Sequence, residues 1–339
     1  MKSLLKKIIF LVIFILIFFI LPSLCTKKLK NNSIEEQTET YNYEKNNTQG
    51  VNYKYSNYGK IKLLHKENGQ IQEMQIDEYL FGVVSAEMPA NYELEALKSQ
   101  AVAARTYTVY QLLKNKGKHG DADICDDSTC CQAWISKEDR MKKWEENQRD
   151  NNWNKIINAV NSTAGQVITY NNEVINAFFH SNSGGKTELA SNVWSGGKNL
   201  PYLQSVETAG EEGYTQYNSK VVISTKDLLK KLKQEYEDIQ INYDEEESIK
   251  ILDFTESGRV KTVKFGNIEI AGTKVRSILG LKSTNFSIKR DKDVIIFSVI
   301  GYGHGVGMSQ TGADSMAKQG KNYIDILKHF YTGVEITTI

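Results

Sequence analysis

The most confining stretch of this chain is GYGHGVGMSQTGA, residues 301–313. Glycine stands at 301, 303, 305 and 307, alternating with Tyr302, His304 and Val306. Glycine costs backbone entropy and offers no side chain to a core. A run of this kind therefore fits neither a regular helix nor an ordinary strand. It calls for left-handed backbone, or for something that approaches the backbone closely. Nucleotide phosphate is a poor candidate. The spacing is G-x-G-x-G-x-G rather than G-x-G-x-x-G, and the other glycine loop, HSNSGGKT at 180–187, carries His180 where a P-loop needs its first glycine. The plain structural alternative is a tight glycine turn around a core histidine.

What surrounds that segment is an ordinary globular composition. The chain has 339 residues, 40% hydrophobic and 24% charged, with a net charge of +1. That supports one or two cored domains, excludes a fibrous or globally disordered chain, and argues against nucleic acid as a main partner. Eighteen tyrosines are a mild excess, enough for some to stack on sugars while most pack. At the N-terminus Lys2, Lys6 and Lys7 precede an uncharged stretch, residues 8–25. At about 1.5 Å per residue it comes close to the roughly 30 Å hydrocarbon core. Positive charge on its near side directs the rest of the chain out of the cytoplasm. A cleaved signal peptide competes, but SLCTKK lacks an A-x-A-like site and Leu24 suits a lipoprotein cysteine poorly. The expectation is an uncleaved single-pass anchor over 1–25, a polar linker over 26–58 that cannot bury enough apolar surface to order itself, and a folded region over 59–339.

Within that region the pattern mixes strands and helices. KIKLLHKENGQIQEMQ alternates about Asn68-Gly69, a hairpin signal. ELEALKSQAVAARTYTVYQLLK reads as a long helix, with Leu94, Leu97, Ala101, Ala104 and Thr108 at helical spacing and Asn91 as its cap. Residues 138–165 read as one helix stopped by Gly165. QVITYNNEV is a second hairpin about Asn171-Asn172. Residues 206–300 form a second lobe: a charged helix, then strands punctuated by Ser257-Gly258 and Gly266-Asn267. One closing helix is expected over 313–330. The fold class is α+β.

Chemistry concentrates in a few places. Glu87, in SAEMPA, stands among Val83, Val84 and Met88, where desolvation would raise a carboxyl pKa to suit a general acid. A surface glutamate near a helix start is the alternative. Lys98 and Arg105 lie seven apart on one face of the long helix, as a solvated stripe or as ligands for anionic or hydroxylated groups. In the loop HGDADICDDSTCC, His119, Cys125, Cys130 and Cys131 offer three thiols and an imidazole within thirteen residues, a match for closed structural zinc. A disulfide is the rival, but three loop cysteines leave one odd, and adjacent cysteines pair only with strain. Calcium is disfavoured because the loop lacks EF-hand spacing.

AEMPA…EALKSQAVAARTY, FFHSNSGGKTE, LPYLQSV, RSILGLKSTNF and GYGHGVGMSQTGA, in this order, closely resemble the SpoIID family of sporulation proteins and its amidase-enhancer relatives. The resemblance spans about residues 60–339. It implies a membrane-anchored lytic transglycosylase that cuts peptidoglycan glycan strands during engulfment. It implies Glu87 as catalytic acid/base and places Arg105 and Tyr202 in the site. Relatives often carry lysine two residues after that tyrosine, where this chain has Gln204. It further implies a glycan-binding cleft between two lobes. The glycines would let a sugar strand pass close to backbone, with His304, Ser309 and Gln310 turned into the groove. His180, Ser181 and Ser183 would line a second glycine wall. Implied partners are a cell-wall amidase or endopeptidase and a membrane scaffold of the engulfment machinery, with no nucleic acid. The implied location is the mother-cell membrane, facing the septal space. A non-catalytic amidase activator and a wall-binding scaffold are the alternatives.

Overall fold

The computed structural model describes residues 59–114, 117–194 and 200–339. The expected anchor and linker lie outside these residues. Among the described residues no helix is long and apolar enough to cross a membrane. The architecture is mixed helix and sheet, an α+β fold.

The first core forms around the helix Leu94–Lys114. Ala96, Leu97, Ala101–Ala104 and Val109 are buried, and so are Gln100, Arg105, Thr106 and Thr108. A helix buried on nearly all sides sits at the centre of a bundle. Here the helices Ile76–Glu87, Arg149–Asn161, Gln310–Lys318 and Tyr323–Phe330 and the strand Gln166–Tyr170 pack around it. Its entry is set by Glu93 rather than Asn91. The Leu97 N–H donates to the Glu93 carbonyl, and the Glu93 N–H is held by the Asp314 carboxylate at 2.6 Å.

Both expected hairpins form. Lys60–Leu64 pairs antiparallel with Ile71–Gln75, and Gly69 turns the corner at φ 72°. Gln166–Tyr170 pairs with Glu173–Val174 through Asn171 and Asn172, at φ 51° and 63°. Two consecutive left-handed residues match the twist of a two-residue hairpin. Leu63 and Leu64 also pair in parallel with Ile124 and Cys125, which fixes the cysteine loop against the first hairpin.

Two expected helices are each divided. Residues 138–165 form Lys137–Lys143 and Arg149–Asn161, with a break at Trp144. In a continuous helix Trp144 and Trp153, nine residues apart, would face opposite sides at about 100° per residue. The break lets their rings meet, with centroids 6.5 Å apart. The closing helix divides into Gln310–Lys318 and Tyr323–Phe330 because Gly320 is left-handed (φ 85°) and Asn322 caps the second helix at Asp325.

A second core gathers Leu228 and Leu232 of the helix Thr225–Lys233, Val275 and Leu279 of Gly272–Leu279, and inward residues of two three-stranded sheets. One sheet orders Phe286–Asp291, Val294–Ile300 and Asn218–Ser224; the other orders Ile268–Ala271, Val260–Phe265 and Ile249–Phe254.

Candidate functional site

Glu87 ends the helix Ile76–Glu87, because Pro89 cannot extend it. Val83, Val84 and Met88 around it are fully buried, and Glu87 itself is half-buried. One carboxylate oxygen accepts the Ala133 N–H at 2.7 Å. The Gln310 side chain bonds it as well. Burial raises the carboxyl pKa above its ordinary value, and these two hydrogen bonds only partly offset that. The negative end of the helix dipole acts in the same direction as burial. The groups acting on Glu87 are neutral amides, and neither a cation nor a second carboxylate is among them.

Close packing puts Ala133 in reach. A Cβ on Gly82 would lie 2.2 Å from the Trp134 Nε1, so only glycine lets the 132–135 segment lie on the helix. Gln132, buried beside it, donates to the Tyr79 hydroxyl and the Thr108 hydroxyl at 3.2 and 3.1 Å. Gln310, 5% exposed, begins the helix Gln310–Lys318, and its amide nitrogen lies 3.4 Å from the Gln100 oxygen.

Beside this constellation stands an aromatic wall. His304 lies 5.0 Å from Trp194, 5.6 Å from His180 and 6.2 Å from Phe178, ring centre to ring centre. Tyr107 continues the wall from Phe178 at 6.2 Å. The Val306 carbonyl accepts from His180 Nδ1, and the Val306 N–H donates to His304 Nδ1, both at 3.1 Å. Burial, helped by the charges of Arg259 and Arg276, pushes the His180 pKa down to about 3 and that of His304 well below its usual value. Both shifts favour the neutral imidazole, and the two rings help shape the wall.

The glycines have a different partner from the one expected. Gly301, Gly303, Gly305 and Gly307 all have positive φ. What approaches them is the protein itself. Cβ atoms at these four positions would fall 2.9 Å from the Asn182 carbonyl, 2.8 Å from His180 Cβ, 2.6 Å from the Arg259 guanidinium and 2.1 Å from the Phe178 carbonyl. The two glycine loops are laid against each other, with Asn182 bridging Tyr302 and Phe179–His180 pairing in parallel with Met308–Ser309. They form one wall, in which Gly301, Gly303, Gly305 and Gly307 face inward.

Several expected site residues also turn inward. Arg105 is fully buried. Its guanidinium pairs with Asp77 at 3.2 Å and donates to the Val160 and Thr163 carbonyls. Asp77 stands at the opposite end of the helix from Glu87, so Arg105 is a strut of the core. Lys98 pairs with Glu95. The Tyr202 hydroxyl accepts the Asn176 N–H, and Tyr202 is 6% exposed. Gln204 is exposed and folds onto the Pro201 carbonyl. Ser309 is buried; its hydroxyl donates to Glu211 and caps the helix at Gly312. Ser183 likewise donates to Glu211. The Ser181 carbonyl accepts the Thr311 N–H. The structure thus brings Glu87 and Gln310 together, sets His180 and His304 in the wall, and turns Arg105, Tyr202, Ser183 and Ser309 to internal work.

Sequence reasoning missed Glu211, a fully buried carboxylate bonded by Ser183, Thr208, Ser309 and Thr311 and by two backbone N–H groups. Nothing in ETAGEEGY separates it from Glu207 or Glu212. Trp194 and the Ala133 N–H also gave no signal, since their roles depend on contacts distant in sequence.

The loop before Ala133 carries the other cluster. His119, Cys125, Cys130 and Cys131 place their ligand atoms within 4.8 Å of one another, and the three thiols are free. The His119 Nε2 lies 3.2 Å from Cys131 Sγ. Three thiols and an imidazole at this separation fit a tetrahedral zinc site with no open position. Cys131 is two residues from Ala133, so order in this loop is carried to Glu87.

The SpoIID family pattern, described as Stage II sporulation protein, matches residues 65–170. The chain is 35% identical over 279 residues to Stage II sporulation protein D of Bacillus subtilis (strain 168), covering 82% of this chain and 78% of that protein. The corresponding protein of Bacillus amyloliquefaciens is 35% identical over 278 residues, again 82% of this chain and 78% of that one. An amidase enhancer of Bacillus subtilis is 29% identical over 308 residues, 76% of this chain and 40% of the enhancer. With this identity sustained across the body of both chains, the protein belongs to the SpoIID family of sporulation proteins.

Proposed function

We propose that this chain is a lytic transglycosylase acting on peptidoglycan glycan strands during sporulation. The observation that carries the reading is Glu87, a half-buried carboxyl whose pKa is raised by burial and which is held by neutral amides. Glycosidases that use water need two carboxyl groups flanking the bond. A transglycosylase needs one. Glu87, protonated, gives its proton to the glycosidic oxygen as the C1–O bond breaks. The resulting carboxylate takes the proton of the C6 hydroxyl of N-acetylmuramic acid as that oxygen bonds C1. The product carries a 1,6-anhydro ring and Glu87 is protonated again. The Ala133 N–H and the Gln310 amide hold the carboxyl in place through both transfers.

A structural zinc bound by His119, Cys125, Cys130 and Cys131 belongs to this reading. When bound it would supply rigidity rather than chemistry, fixing the loop that presents Ala133. Elemental analysis should find about one zinc per chain, lost in Cys125→Ser. A mapped disulfide among these cysteines in metal-free protein would remove it. The segment 8–25 would anchor the chain in the mother-cell membrane with the folded lobes facing the septal space, together with a membrane scaffold of the engulfment machinery. A partner amidase would strip stem peptides first.

The second reading is a non-catalytic activator, favoured by the similarity to an amidase enhancer. Mass spectrometry of digested strands separates the two. Anhydro ends support the transglycosylase, reducing ends would mean a hydrolase, and no cleavage by an intact, folded chain would mean an activator or a scaffold. Peptide-stripped strands should be cut much faster than intact peptidoglycan, and equal rates would remove the partnership.

A further inference from the structure

The motif RSILGLKSTNF, residues 276–286, has no part in the reaction above. The fold wraps it along the glycine wall. The Gly303 N–H donates to the Lys282 carbonyl at 2.9 Å, the Ile300 N–H to the Asn285 carbonyl at 2.8 Å, and Ser283 Oγ to the Ile300 carbonyl at 2.5 Å. Gly280, left-handed at φ 66°, ends the helix Gly272–Leu279, and the Arg276 Nε folds back onto the Leu281 carbonyl at 3.4 Å. The ammonium of Lys282 lies 4.2 Å from the centre of the Tyr302 ring, which is 39% exposed.

Several other cations of this region have acidic partners. Lys186 pairs with Glu207, Lys261 with Asp253 and Lys274 with Glu235, and Arg259 faces Glu188 and Glu211. Arg276 and Lys282 form no ion pair among the described residues. Arg276 is half-buried, and burial lowers its pKa with only Tyr302 acting the other way. Its charge also reaches inward, since it contributes to lowering the pKa of His180 and of His304. A partly desolvated guanidinium without a counter-ion is costly, and an anionic ligand relieves that cost.

We propose that Lys282, over the exposed ring of Tyr302 on the glycine wall, and Arg276, folded onto the neighbouring Leu281 carbonyl, form a subsite for a sugar-borne carboxylate: the free lactyl carboxylate of an N-acetylmuramic acid residue stripped of its peptide. This rests on the reading that a glycan strand occupies the site. It gives that reading a source of selectivity other than cleft width. A stem peptide turns the lactyl carboxylate into a neutral amide, and the two cations then lose their partner. Gly301, Gly303, Gly305 and Gly307 cannot set a narrow width for the sugar, because the space beside them is filled by the chain itself.

Binding tests the subsite without turnover. The full chain in detergent, carrying Glu87→Gln so that nothing is cut, is titrated calorimetrically with three probes. They are peptide-free glycan strands, the same strands with lactyl carboxylates converted to methylamides, and chitin oligosaccharides of equal length. The carboxylate strands should bind about tenfold or more tighter than the methylamide strands, the range of a charge-assisted hydrogen bond. Added salt should narrow that gap. Arg276→Gln and Lys282→Gln should each reduce it and leave chitin affinity unchanged. Lys282 is exposed, so its variant remains a test if Arg276→Gln fails to fold. Equal affinity for carboxylate and methylamide strands, or variants that weaken all three probes alike, would overturn the subsite while leaving the glycan reading intact. Failure to bind any of the three would overturn both.

Discussion

Replacing Glu87 separates chemistry from stability, because its carboxyl does two things. As acid/base it carries the proposed reaction, and general acid–base catalysis contributes about 10²–10⁴-fold. Glu87→Gln and Glu87→Ala should each lose at least about 10²-fold in strand cleavage. In folding the two variants should diverge. Gln keeps an oxygen for the Ala133 N–H, which the native carboxylate accepts at 2.7 Å. Ala leaves that N–H without its partner, at a cost of about 1 kcal/mol, the low end for a partly buried donor. For a folded region of this size that is a fall in Tm of about 2 °C. Gln also removes a carboxyl whose pKa is raised by burial. A carboxyl with a raised folded pKa weakens the fold above that pKa, where it must ionise in a dry site, and is neutral in effect below the unfolded value. Glu87→Gln should therefore melt higher than the native chain at neutral pH, with the advantage fading as pH falls toward 4. Cleavage is read by mass spectrometry of released ends, and stability by thermal melts across pH. Near-native cleavage by Glu87→Gln would refute the acid assignment. A Gln variant that melts lower than the native chain at pH 7 and recovers in acid would refute the account of the site's electrostatics.

Arg105→Gln should act through the fold, because it leaves Asp77 and two buried carbonyls without their donor. Denaturant melts should show a loss of about 3 kcal/mol, while protein folded at low temperature cleaves with unchanged kcat. Gly307→Ala should cost about 3 kcal/mol or more, since its Cβ would meet the Phe178 carbonyl at 2.1 Å in left-handed backbone. Gly69→Ala, left-handed but in open space, should cost only about 1 kcal/mol by the same melts. Burial alone would raise the Glu211 pKa, but bonds from Ser183, Ser309, Thr208 and Gly185 outweigh it and hold it below the ordinary value. Its contribution is present above the unfolded pKa and lost as pH falls through the folded one. Acid melts below about pH 4 should show that loss in the native chain and a flatter profile in Glu211→Gln, measured by circular dichroism.

What the sequence determined by itself was local or carried by close spacing. Asn68-Gly69 and Asn171-Asn172 specify their turns through backbone preferences that need no distant partner. The long helix is written in its periodicity. Glu87 was legible because the apolar residues that desolvate it are its chain neighbours, and the four candidate zinc ligands because their spacing brings them together within one loop. The breaks at Trp144 and Gly320 were less legible, since a helical period continues across both and only ring packing and capping interrupt it. Tertiary structure alone decided what each polar group faces. Arg105 and Lys98 share a helix face by spacing, yet one is drawn into the core by Asp77 and the other is held by Glu95. Four alternating glycines announce a close approach, but whether a ligand or the protein's own chain makes it depends on residues distant in sequence, Arg259 beside Gly305 among them. Phe178, His180 and Asn182 take that space, and Glu211 ties the two loops together from within. A pattern along the chain encodes which backbone shapes are permitted; burial and charge pairing come from segments that meet only when the chain has folded.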